Sequence, residues 1–153
     1  MVELALEALQ AQLQAYLNCL ELCQVFRKQT DDPYVREALG RLIEELQESL
    51  AAIAGQLRRR GVAPGGYEVD GTGQARIQDV LAMRSLHSQL LAVRGSLVQL
   101  VAGYTASPPF ANADATNSAG PDPLAAQARR MLDGWDQHMR EMKAHFDKSL
   151  PSC

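Results

Sequence analysis

Residues 3–27, ELALEALQAQLQAYLNCLELCQVFR, decide the fold class. Leu6, Leu13 and Leu20 recur every seven residues, and Leu9, Tyr16 and Cys23 recur beside them. That spacing lays one apolar seam along a helix and excludes the two-residue alternation of a strand. Downstream, Asp31-Asp32-Pro33 is a restart signal: an Asp oxygen caps the first free N–H groups, and Pro at the first helical position gives up an N–H with no partner to lose. A second helix is predicted over 33–60, with Leu39, Ile43, Leu46, Leu50, Ile53 and Leu57 on its inner face. Its end, Arg58-Arg59-Arg60-Gly61, places cations at the negative end of the dipole and a glycine where a left-handed cap belongs.

The same reading continues to the C-terminus. Met83, Leu86, Leu90, Val93, Leu97, Leu100 and Tyr104 predict a third helix over about 74–105, with Val98 and Val101 widening its stripe. Pro121-Asp122-Pro123 repeats the Asp-before-Pro start and opens a fourth, about 123–149, through Ala128, Met131, Trp135, Met139, Met142 and Phe146. Glycine and proline gather between these segments, and the glycines of 61–73 read as linker. The expectation is one all-α domain spanning 1–153, a four-helix bundle. Its first hairpin is antiparallel across Lys28–Asp32, its second and third connections are long, and 106–121 has the composition of a flexible loop.

Composition narrows the function. A net charge of -3 supplies no basic field for nucleic acid. No run of about 18 apolar residues exists to span a membrane. Acids at Glu3 and Glu7 stand where a secretory signal needs cations, and three cysteines are too few for a disulfide framework, so a cytoplasmic location is expected. The serine-hydrolase elbow, the phosphate-binding glycine loop and the zinc-protease His-Glu-x-x-His motif are missing, so no catalytic residues are assigned.

Four long helices with a tight first hairpin and long later connections resemble the ferritin-like superfamily. The resemblance implies a carboxylate metal site, with a Glu on each of two helices and Glu-x-x-His on each of the others. Here Glu44 and Gln47 fall in one such pair of slots with the histidine replaced, the third helix has no Glu, and Asp136–Met139 and Glu141–Ala144 end without His. The set cannot form a di-iron site, so the resemblance implies a scaffold whose metal chemistry is lost.

Another constellation remains. His138, Glu141 and His145, spaced i, i+3 and i+7, line one edge of the fourth helix, and His87 lies at the margin of the third. Imidazole with carboxylate suits Zn or Fe. The competing structural reading is that histidines at a core rim cover apolar neighbours. Cys19 and Cys23, at i, i+4, are read either as core packing or as a soft-metal pair. Arg94 lies inside an apolar stripe and calls for a carboxylate such as Glu45, Glu48 or Asp136, and Trp135 is read as a core anchor.

Two functions follow. The first is a non-catalytic bundle that needs no cofactor and acts through a homo-oligomer, a dimer, or through a protein partner, because long aliphatic helices leave apolar surface after the core closes. The alternative is a metal-binding protein or metalloenzyme using His138, Glu141, His145 and His87. A small-molecule or lipid pocket beside the Met-rich fourth helix is a third possibility that no residue specifically supports.

Overall fold

A computed structural model describes residues 2–62, 68–106 and 123–149, with side chains described for 7–62, 68–104 and 124–144. Among these residues the chain is all-α, with five helices and no strand: α1 (Val2–Gln29), α2 (Pro33–Arg59), α3 (Gly71–Ala82), α4 (Leu86–Ala106) and α5 (Pro123–Ser149). Helix α1 packs on α2, α3 and α4, while α5 packs on α2 and α4, so α1, α2, α5 and α4 close a ring to which α3 is added.

The expected four-helix bundle is corrected here, because the predicted helix over 74–105 is two helices. The chain breaks at 83–85, where Met83 takes an extended conformation (φ -68, ψ 135) and the Ser85 hydroxyl accepts from the N–H of Ser88 at 3.3 Å. A serine oxygen satisfying the first N–H groups starts a new helix without any glycine or proline to announce it. The apolar spacing runs through the break, which is why the stripe reads as continuous. Helix α3 buries Ile77 and Val80, and the turn folds α4 back along it, with the Gln89 amide donating to the Val80 carbonyl at 3.0 Å and Arg76 reaching Ser96 and Gln99 at 3.1 and 2.8 Å.

The predicted linker is corrected as well. Helix α3 begins at Gly71, inside that stretch, because the Asp70 carboxylate accepts from the Gly73 N–H at 2.9 Å and is itself held by the Asn18 amide at 3.0 Å. Gly73 is a packing residue: a Cβ there would lie 2.5 Å from the Asn18 side chain and 2.7 Å from that of Val69. The start and end of α2 are as expected. Asp32 caps it by accepting from Val35 N–H at 3.0 Å, and Gly61, at φ +79, ends it with paired bonds from Gly61 to the Arg58 carbonyl and from Val62 to the Leu57 carbonyl, both 3.0 Å. These are the reciprocal bonds of a left-handed glycine cap.

The core holds Leu9, Leu13, Tyr16 and Cys23 of α1, Leu39, Leu46, Ile53 and Leu57 of α2, Val93, Leu97 and Leu100 of α4, and Trp135 of α5. Ile43 and Leu50 are only partly buried, because α2 serves two neighbours and centres its inner face on Leu39, Leu42, Leu46 and Ile53. Several polar groups inside this core are paired across helices, whereas the Ser49 hydroxyl is fully buried without a hydrogen-bond partner among the described residues. Gln12 donates to the Leu100 carbonyl at 2.9 Å and lies against Gly103, where a Cβ would collide with it, and the Tyr16 and Tyr104 hydroxyls meet at 2.9 Å. Trp135 is 1% exposed and its indole N–H donates to the Leu90 carbonyl at 3.1 Å, the core anchor expected of it. No helix among the described residues is long and apolar enough to cross a membrane.

Candidate functional site

The groove between α2 and α5 gathers the titratable groups. These helices run antiparallel: Tyr34 at the start of α2 donates to Glu141 near the end of α5 at 2.5 Å, and farther along the groove Leu42 and Glu45 line a recess with Arg130, Met131 and Gly134. The second Glu141 oxygen accepts from the Gln137 amide at 3.1 Å. With donors on both oxygens, led by the Tyr34 hydroxyl, the Glu141 carboxyl is held below the ordinary glutamate range, and the same bond raises the Tyr34 phenol. Burial, followed by the neighbouring Glu48, raises Glu45. A cavity of about 190 Å³ opens here, lined by Tyr34, Glu37, Ala38, Arg41, His138 and Glu141.

Of the four residues predicted as metal ligands, two meet in this groove. His138 Nδ1 lies 3.9 Å from Glu141 Oε2, and that nitrogen is buried without a hydrogen-bond partner while its ring sits edge-on to Trp135 at 6.5 Å. His87 does not share the groove; it is exposed at the start of α4. His145 is on α5, and its side chain lies outside the described residues, as does Cys153. Among the described residues no group of three or more His, Cys, Asp or Glu side chains is arranged to hold a metal ion.

Cys19 and Cys23 are 2% and 0% exposed. The hydrogen bond with Cys19, with burial added, pushes the Cys23 thiol well above its ordinary value, which keeps it protonated and favours the core-packing reading over a thiolate pair. Arg94 resolves onto one of the expected partners: Nε meets Asp136 Oδ1 at 2.6 Å, and that bond raises the guanidinium pKa.

A second surface stands out by what it lacks. The outer face of α4 carries His87, Ser88, Leu91, Gly95, Val98, Gln99 and Ala102, all exposed and none of them Asp, Glu, Lys or Arg. Leu91 is 46% exposed and Val98 38%, and among the described residues these are the exposed large hydrophobic side chains. They lie one heptad apart on a single stripe, and Gly95 between them has open space where a Cβ would project. The breadth of the stripe is readable from sequence; which of its residues stay outside after folding is not, because that depends on where α1, α3 and α5 pack.

Comparison with protein-family models, curated proteins and solved structures gives no match. The ferritin-like resemblance is therefore corrected: the described residues form five helices where that reading needs four, and no family model supports it.

Proposed function

We propose that the chain is a non-catalytic helical protein that acts by self-association, pairing the outer face of α4 with the same face of a second copy. The observation that carries this reading is the uncharged stripe of Leu91, Gly95 and Val98. A twofold axis near Gly95 sets Leu91 of one copy against Val98 of the other, so the surface is complementary to itself, as a closed dimer requires. The central glycine lets the two backbones approach, and the half-exposed Arg94 beside the stripe has its charge met by Asp136. Burying these side chains contributes only a few kcal/mol at about 25 cal/mol per Å². Association costs at least about 4 kcal/mol, so a dimer held mainly by this face is expected to be weak, in the millimolar range at best.

Dilution followed by amide NMR tests the reading. Between about 10 mM and 100 μM, chosen to bracket that range, the amides of 88–102 should shift in concert while those on the outer face of α2 stay still. Invariant spectra over this range contradict it.

A second reading is supported by the approach of His138 to Glu141: a Zn or Fe site in the α2–α5 groove, with the unpartnered imidazole nitrogen and the carboxylate as ligands. Metal content after removal of loosely held ions tests it. Near-stoichiometric retention that is lost in His138→Ala supports the site, and equal metal content in both proteins ends it.

A further inference from the structure

The end of the first hairpin holds a recess of about 310 Å³ lined by Gln24, Arg27 and Lys28 of α1 and by Arg36 and Ile43 of α2. Three cations and no carboxylate form this lining, in a chain whose net charge is -3. None of the three takes part in an ion pair among the described residues, where the pairs are Arg41 with Glu37, Arg94 with Asp136 and His138 with Glu141. Of the two acids of the turn, Asp32 is committed to its cap on Val35 and Asp31 is exposed and does not line the recess.

One of the cations is held in place. Arg27 Nε donates to the Arg36 carbonyl at 3.2 Å, and the guanidinium lies over Gly40, where a Cβ would be 3.5 Å from both Nε and Nη2. The absent side chain at Gly40 lets the fork lie on the α2 backbone, with its remaining N–H groups still to be satisfied. The Arg36 and Lys28 side chains and the Gln24 amide spend no hydrogen bond within the described residues, so their donors are available to a ligand.

We propose that this recess binds a small soluble phosphorylated anion. A planar guanidinium fork matches two phosphoryl oxygens at once, an ammonium adds a point charge, and the Gln24 amide adds a neutral donor. Ile43 gives an apolar wall for the organic part of such a ligand, and the volume lies at the small end of ligand cavities. The inference stands apart from self-association, which uses the other side of α1's partners.

The test is a titration of the full chain with inorganic pyrophosphate at low ionic strength, read by amide and arginine Nε NMR shifts. Saturable shifts at Gln24, Arg27, Lys28 and Arg36 are expected. Arg36→Gln, which removes a side chain that makes no hydrogen bond or ion pair among the described residues, should weaken binding at least tenfold, since a charge-assisted hydrogen bond is worth that much. Arg36→Lys should weaken it less, and Arg59→Gln, at the far end of α2, should leave it unchanged. Thermal melts of each variant matching the wild type ensure that loss of binding is not loss of fold. The proposal is overturned by an absence of saturable shifts up to millimolar pyrophosphate, or by equal weakening in Arg59→Gln. It is overturned too if Arg36→Gln releases the protein from phosphatidylserine vesicles while pyrophosphate has no effect, because that assigns the cations to a lipid surface.

Discussion

Helix α2 turns Arg36, Glu37, Arg41, Glu44, Gln47 and Glu48 to its outer face, whereas α4 turns out His87, Ser88, Leu91, Gly95, Val98 and Ala102. On the inside the two are alike: each buries a run of leucine and β-branched residues with exposures near zero. The fold constrains only the inner faces, so the contrast outside has its cause elsewhere. Charge on α2 keeps that face in water, where an ion pair such as Arg41 with Glu37, both largely exposed, adds little stability. Leucine and valine on α4 leave an uncharged strip that a second copy can cover.

The comparison can be sharpened by mutation. The largest effect on folding is expected inside α4: Leu97→Ala, at a fully buried position, should lower unfolding free energy by about 2–5 kcal/mol in chemical denaturation. Leu91→Ala, only six residues away in sequence, should change monomer stability by less than about 1 kcal/mol, since the side chain is already half in water. Equal costs for the two would show that the outer stripe is part of the core.

A smaller effect belongs to the α2–α5 groove. Because Glu141 is held below the ordinary glutamate range, the stability it contributes is present above that range and is lost as pH falls through its folded value. Tyr34→Phe removes the chief cause, so the Glu141 carboxyl, followed by carbon-detected NMR, should titrate closer to the ordinary range and the acid limb of the stability curve should flatten. An unchanged Glu141 titration in that variant would disprove the assigned cause. The smallest effect is expected at Arg41: Arg41→Ala should leave the melting temperature within error, because its partner Glu37 is as exposed as it is.

The parts of this account that were legible in sequence are local. Asp32 before Pro33 and Gly61 after three arginines mark the limits of α2 because capping depends on neighbours in the chain. The break between α3 and α4 escaped because Ser85 is its whole signal and the apolar spacing continues across it. Only the first turn of α3 is hidden, for the opposite reason: Gly71 and Gly73 read as linker, while the need for glycine at 73 comes from Asn18 and Val69 pressing on that position.

Long-range pairing was readable only where charge limited the choices. Arg94 in an apolar stripe demanded a carboxylate, and Asp136 was among those named. Tyr34 gave no comparable signal, since its partner is 107 residues away and only the packing of α5 on α2 brings Glu141 to it. His138 and Glu141 were found by helical spacing alone, whereas the placement of His87 on the outer face of α4 depends on how that helix sits among its neighbours.

Sedimentation equilibrium of three proteins tests self-pairing through α4 most directly: the wild type, Leu91→Glu on α4, and Ala52→Glu on the exposed face of α2. The account predicts a wild-type mass rising with concentration from 16.7 kDa toward twice that value, the same rise for Ala52→Glu, and a constant 16.7 kDa for Leu91→Glu. A wild type that stays at 16.7 kDa throughout, or a Leu91→Glu protein that associates as the wild type does, would contradict it.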